Sequence, residues 1–405
     1  MLKSVKRLKE EIYVRMTGNF VEGRTELDFL SNTAIVKLFE KQVRDAVRKY
    51  GYPELTAEQE AEIKEYYKGF PKFDTIYHRC YYGRTGRIDP DYMPEELYYG
   101  YIEPYMVDHE SARYVDNKTF YRVMFSDIKQ PETIAVRMGT VWYGGRSTHD
   151  GNTGISGTGD EYDPVCGLCP VTKSEIPGLL RSADSEIVLK IAENSEEGAG
   201  LFFLSKDDPV SDFKRVIRDI NGDLIIQKVV KQHPSFAALH PQSVNTLRIM
   251  SYLDIHPDSS SEKRDARPKT EILVTTVRVG TGDMRVDNAA AGGFFLGVDK
   301  YGRTMGLGAG SHGRTYTKHP DMGYDLKGIE LPSIDKAHEI IKKVHPRFGK
   351  YRIIAWDIAI DELGDPVLIE VNLSLGEVLN VQAAAGPLFG DMTSRVCREV
   401  FGIRQ

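Results

Sequence analysis

A chain of 405 residues exceeds the size at which one hydrophobic core usually stops growing, so two or three lobes with a cleft between them are expected. Its formal net charge of -6 excludes a nucleic-acid binder that works by bulk phosphate neutralisation, yet leaves room for a local basic pocket for small anions. No apolar run approaches the roughly 18 residues that span a bilayer, and the opening MLKSVKRLKEE lacks a signal-peptide core, so a soluble, cytoplasmic protein with no transmembrane segment is expected.

The opening residues Lys3, Lys6, Arg7 and Lys9 alternate with Leu2, Val5 and Leu8, the pattern of a solvated terminal helix, with a short membrane-surface helix as the alternative. Residues 1–110 read as a helical lobe, and Thr56 with Gln59 forms a capping-box pattern ahead of the charged stretch 60–68. Tyr77, Tyr81, Tyr82, Tyr92, Tyr98, Tyr99, Tyr101 and Tyr105 crowd the following segment, either as packing of this lobe or as an acceptor pocket. Residues 139–167 have the Gly, Ser, Thr and Asp content of a long connection or a lid. Beyond it, strands are expected over 186–191, 224–230, 246–253, 271–279 and 293–299, then an amphipathic helix over 335–344 and a hairpin over 353–372. The stretch 256–269 reads as an exposed hairpin loop. Four cysteines are too few for a disulfide framework and fit a reducing compartment; Cys166 and Cys169 form a C-x-x-C without the second ligand pair that a structural zinc site needs.

The chemistry concentrates late in the chain. Side chains alternate along a strand, so Asp357 shares a face with Ile353, Ala355 and Ala359, while Glu370 and Asn372 share a face of the second strand. Two carboxylates and an amide among apolar neighbours suit a magnesium ion; the alternative is a hairpin whose polar edge meets water. Lys190 ends an alternating strand and is followed by NSEEGAG, a turn whose Gly198 and Gly200 would let backbone N–H groups approach phosphates, or a plain glycine hairpin beside a snorkelling lysine. Arg248 and Arg278 sit inside apolar strands, where a guanidinium needs an anion from substrate or from a structural ion pair. The run VDNAAAGG at 286–293, beside Arg285, reads as a pocket wall or phosphate turn.

Lys118, Lys190, the QKVV segment, Arg278, Asp357, Glu370 and Asn372 follow the order used by ATP-grasp enzymes. The terminal D-x12-E-x-N followed by LSLG resembles the magnesium segment of D-alanine:D-alanine ligase. SVNTLRI, VRVG, VDNAAAGG and WDIAI resemble the sugar-transfer-associated ATP-grasp family over about residues 110–395. The resemblance implies an α+β ATP-grasp fold, two subdomains clasping ATP behind a helical N-terminal lobe. It divides the chain into that lobe (1–110), a pre-grasp segment and Gly-rich connection (111–180), a small subdomain (181–235) and a large subdomain with the metal site (236–405).

By the same resemblance Lys118 and Lys190 would hold ATP phosphates, Gly198 and Gly200 would close over them, and Gln227, Lys228, Val229 and Val230 would form the adenine-reading hinge. Arg248 and Arg278 would be the catalytic pair facing substrate or transferred phosphate, and Asp357, Glu370 and Asn372 would hold magnesium, as two ions, with manganese as a substitute. Gln227 stands where many relatives carry Glu, and Glu196 and Glu197 sit in the glycine turn. The implied reaction is ATP-dependent amide formation between a small carboxylate and an amine, with a sugar-linked substrate suggested by the family name. A kinase acting on a hydroxyl and a non-catalytic nucleotide-binding module are the alternatives. The sequence names neither the substrates nor an oligomeric state.

Overall fold

Two antiparallel sheets organise the chain in a computed structural model that describes residues 34–145, 168–192, 200–205, 207–208, 210–220, 222–255, 267–374 and 376–402. The terminal basic stretch, most of the loop at 256–269 and Cys166 lie outside these residues. The smaller sheet comprises β1 (Thr133–Met138), β2 (Val141–Gly144), β3 (Cys169–Val171), β4 (Ile187–Ile191), β5 (Leu201–Leu204) and β6 (Leu224–Lys228), in the spatial order β3-β2-β1-β6-β4-β5. The larger is built from β7 (Leu247–Asp254), β8 (Lys269–Val279), β9 (Phe294–Val298), β10 (Arg303–Gly310), β11 (Thr315–Tyr316), β12 (Lys327–Glu330), β13 (Ile353–Ile360) and β14 (Pro366–Asn372). Its order is β11-β10-β9-β8-β7-β13-β14, with β12 pairing β10.

Alternation along these strands decides what each face meets. Ile187 and Leu189 join Phe213 and Ile217 in the core beneath the helices Ile176–Ser182 and Val210–Asp219, so Val188 and Lys190 are turned to the opposite face of the small sheet. In the large sheet Ile354, Trp356 and Ile358 pack with Ile334, Ala337 and Ile341 of the helix Ile334–Val344, while Ile353 and Ala355 pack on the other face with Met250, Val274, Phe295 and Val378. That second face is where Asp357 stands.

The N-terminal lobe covers the same face. Its helices α1 (Ala34–Tyr50), α2 (Ala57–Tyr66) and α3 (Ile76–Thr85) share one apolar cluster with that face and with two later helices, α4 (Val378–Ala385) and α5 (Thr393–Phe401). The capping box forms as expected: the Gln59 backbone N–H donates to Thr56 Oγ1 at 3.2 Å and the Thr56 backbone N–H to Gln59 Oε1 at 2.9 Å. Among the described residues no helix is long and apolar enough to cross a membrane.

Residues 111–180 contribute β1, β2 and β3 to the small sheet. The run RTMGLGAG, β10, gave no strand signal because glycine is a poor strand former, yet it pairs with both β9 and β12. Close packing explains that composition: a Cβ on Gly308 would fall 2.8 Å from Phe294 Cδ2, and one on Gly306 2.8 Å from Lys327 Cβ. The contact that seats α4 on the sheet is tighter still, since a Cβ on Gly297 would come within 2.3 Å of the Ala384 carbonyl oxygen. Gly297→Ala is therefore expected to destabilise the protein by about 1–3 kcal/mol in urea unfolding. Gly178→Ala, in a helix and with nothing within 4 Å of its Cβ, should stabilise it by about 0.5–1 kcal/mol.

Candidate functional site

Strand register brings the predicted residues together. Asp357 is the Cα partner of Glu370 on β14 and of Arg248 on β7, and residues paired across antiparallel strands present side chains to one face. Arg248 in turn pairs with Thr276, so Arg278, two residues on, joins them. Asn372 pairs with Ala355, again on the face of Asp357.

Asp357 is 2% exposed and both of its carboxylate oxygens are engaged. Arg248 Nε donates to Oδ1 and its Nη2 to Oδ2 at 3.0 Å, while Arg278 Nη1 donates to Oδ2 at 2.8 Å and the Asn372 amide at 3.4 Å. Burial opposes ionisation of Asp357, but Arg248 and then Arg278 outweigh it and hold the carboxyl below the usual range. Arg278 also reaches Asp287 Oδ1 at 3.1 Å, and Asp287 Oδ2 accepts from the Thr246 N–H at 2.8 Å and its hydroxyl at 2.6 Å. Burial works against the Arg278 charge; Asp287 and Asp357 reverse that and raise its pKa.

The two arginines differ in what they have left to give. Arg248 has Nε and Nη2 on Asp357 and Nη1 near the Gly376 carbonyl, so it meets the structural alternative raised by its sequence context. Arg278 keeps a buried Nε–H with no acceptor among the described residues. A buried unsatisfied donor of this kind marks a place for a ligand or water.

Lys118 meets Glu370 from the other sheet, with Lys190 near enough to feel both charges. The Lys118 N–H donates to Ala192 O at 3.1 Å, just past β4, and the Ala192 N–H to Asp223 O at 2.9 Å, fixing the lysine against the small sheet. Its ammonium then crosses to Glu370 Oε1 at 2.6 Å. Lys190 is buried and, among the described residues, has no ion-pair partner; burial first, and the Lys118 charge second, push its ammonium down to about 8.

Of the four hinge residues, two have their backbone donors committed: the Lys228 N–H goes to Glu132 O and the Val229 N–H to Glu186 O, both at 2.9 Å. Gln227 is buried and its amide reaches Thr133 Oγ1 and Pro131 O, and Lys228 Nζ pairs with Asp184 and Glu132. Gln227 also pairs with Val188 inside the sheet, and among the described residues the Val230 N–H has no acceptor. Gly198 lies outside the described residues; Gly200 has φ +86°, and a Cβ there would meet Ile191 Cδ1 at 2.6 Å.

Asp357, Glu370 and Asn372 fit a hard divalent cation by donor type, two carboxylates and an amide oxygen on adjacent strands. The cations now on those carboxylates are the ones a bound metal would displace or share. Among the described residues no group of three His, Cys, Asp or Glu side chains offers another metal site. Of the crowded tyrosines, Tyr77, Tyr81, Tyr92, Tyr98, Tyr99 and Tyr101 are buried, Tyr82 is half-buried and Tyr105 is exposed. Sequence reasoning missed Glu377, a non-glycine residue at φ +57° that follows the LSLG run. It lies close enough to raise the pKa of Arg278. The only signal was the G-E pair ending that run.

A family model described as sugar-transfer associated ATP-grasp matches residues 181–397. Among solved structures the chain is similar to the biotin carboxylase domain of 2-oxoglutarate carboxylase from Hydrogenobacter thermophilus, at 10% identity and TM-score 0.40, covering 74% of this chain and 48% of that one. It is also similar to D-alanine:D-alanine ligase from Bacillus anthracis, at 12% identity and TM-score 0.31, covering 72% and 67%. The D-alanine:D-alanine ligase from Helicobacter pylori gives 11% identity and TM-score 0.38, covering 72% and 62%. The chain spans 38%, 48% and 54% of the first three structures it matches, and no curated protein matches it.

The buried Lys190 yields a sign-specific prediction. Below pH 8 both folded and unfolded states carry its proton, and the folded state bears the full cost of a buried charge. From about 8 to 10.5 the folded state releases the proton first, so wild-type stability gains with pH across that window. Lys190→Met should raise the unfolding free energy at pH 7 by on the order of 3 kcal/mol, and urea unfolding of both proteins should show this advantage shrinking as pH climbs through that window.

Proposed function

The chain belongs to the sugar-transfer associated ATP-grasp family, and on that premise we propose that it is an ATP-dependent carboxylate-amine ligase acting on small molecules. The observation that carries the reading is the meeting of Lys118, Lys190 and Glu370 where the two sheets face each other, beside the Asp357 cluster. Lysines from the small-sheet side and oxygen ligands from the large sheet make a site for a polyphosphate held with a cation.

In this reading the Val230 N–H takes the adenine ring, Lys118 and Lys190 take phosphate oxygens, and Asp357, Glu370 and Asn372 hold magnesium. When bound, magnesium neutralises charge on the β- and γ-phosphates. A substrate carboxylate attacks the γ-phosphorus and ADP leaves; the amine then attacks the acyl carbon of the acylphosphate, losing a proton, and inorganic phosphate departs. Arg278, whose buried Nε–H has no acceptor among the described residues, would donate to the oxyanion of the tetrahedral intermediate. Arg248, spent on Asp357, acts by fixing that carboxylate. The family description points to a sugar-linked acid or amine.

Incubation with MgATP and a panel of uronic and amino acids, with and without amines, tests this. Release of ADP and free phosphate only when acid and amine are both present is expected. A stable phosphorylated product without amine would replace the ligase with a kinase. Glu370→Gln, at a partly exposed carboxylate, should reduce magnesium-dependent turnover at least about 100-fold with the melting temperature preserved. Asp357→Asn should lose turnover and also about 3–5 kcal/mol of stability, because two buried guanidiniums lose their counter-charge.

A further inference from the structure

We propose that Arg285 is a positioning residue that ties the hinge and β5 of the small sheet to the Arg278–Asp287 pair of the large one, so that nucleotide bound at the hinge sets the aim of Arg278. This rests on the nucleotide reading above, and it assigns a role to a residue outside every predicted site set.

The guanidinium of Arg285 grips the small sheet in two ways. Its Nη1 donates to Glu186 Oε1 at 2.8 Å and its Nη2 to Glu186 Oε2, a two-pronged pair, while its Cζ stands 4.2 Å from the centroid of the Phe203 ring on β5. Glu186 is also the residue whose carbonyl accepts the Val229 N–H, so the carboxylate that Arg285 holds belongs to the peptide that pins the hinge. Two residues beyond Arg285, Asp287 holds Arg278 at 3.1 Å and Thr246 through two hydrogen bonds.

Arg285 and Asp287 share the loop 280–293, which is anchored at its start and closes on itself at its end. At its start the Gly280 N–H donates to Asn245 Oδ1 at 3.2 Å, and a Cβ on Gly280 would fall 2.4 Å from Ser243 Oγ. At its end the Gly293 N–H donates to Asn288 O at 3.0 Å, and a Cβ on Gly293 would fall 2.4 Å from Asp287 O. Glu186 and Asp287 are thus joined through Arg285 and the single intervening residue Val286.

The ion pair itself contributes little stability, because its side chains are 42% and 38% exposed. Its effect lies in where it sits. Loss of the tie is thus expected to change nucleotide binding while leaving the melting temperature nearly unmoved, whereas a merely structural salt bridge would change neither.

The test is calorimetric titration of the full chain with MgADP. Arg285→Ala should weaken binding about tenfold relative to wild type, with its melting temperature within about 2 °C. Arg285→Lys should recover only part of the loss, since an ammonium cannot make the two-pronged contact. The exchanged pair Arg285→Glu with Glu186→Arg should bind more tightly than either single variant. If wild type binds MgADP and Arg285→Ala binds it equally well, the tie is overturned and the nucleotide site stands. If wild type binds no MgADP, the nucleotide reading falls and takes with it the claim that nucleotide sets Arg278. Amide exchange at Val229 then still reads the tie, and an unchanged rate in Arg285→Ala would overturn that as well.

Discussion

Asp357 is the charge around which the large sheet is arranged. A carboxylate buried this deeply is tolerated only with compensation, and here Arg248 and Arg278 both supply it. Each arginine would be costly in its strand without the acid, and Arg278 needs Asp287 as well, which in turn fixes Thr246. The result is a rigid polar inlay in an apolar face. Among the described residues the buried Arg278 Nε–H has no acceptor, and in the proposed function that donor meets a transient negative charge.

The N-terminal lobe is fitted to this inlay from the same side. Helix α4 begins six residues after Asn372, and its first N–H groups are taken by that lobe: Val378 donates to the Tyr99 hydroxyl at 3.2 Å and Leu379 to Glu95 Oε1 at 3.4 Å. Burial pushes the Glu95 carboxyl up to about 8, so this cap works at the edge of its ionisation. Arg84 extends the contact, with Nη2 reaching Gly310 O, Arg314 O and Asn380 Oδ1. A lobe whose sequence matched no motif is thereby joined by polar contacts to the helix that carries Glu377 at its start.

The sequence made the late strands legible because their apolar alternation is strong and because D-x12-E-x-N fixes which positions share a face. The pairing of Asp357 with Glu370 follows from that alternation. Partners across the fold were beyond its reach: nothing local connects Lys118 to Glu370, or Arg285 to Glu186, since each pair is joined by the packing of two sheets. Strand β10 was hidden for a different reason. Its glycines serve close approach by neighbouring chain and ring atoms, so composition argued against the strand that packing required. The hinge was legible as a segment, but which of its N–H groups remains unspent depends on bonds to Glu132 and Glu186 that no spacing rule reveals.

The Asp357, Glu370 and Asn372 face is the proposed seat of a divalent cation held together with nucleotide phosphates, with Arg248 still fixing Asp357. Titration with manganese, followed by the loss of the free-ion electron paramagnetic resonance signal with and without ADP, tests it most directly. Uptake that requires ADP and disappears in Glu370→Gln is the predicted result. Manganese uptake indifferent to ADP, or unchanged in that variant, would contradict the claim.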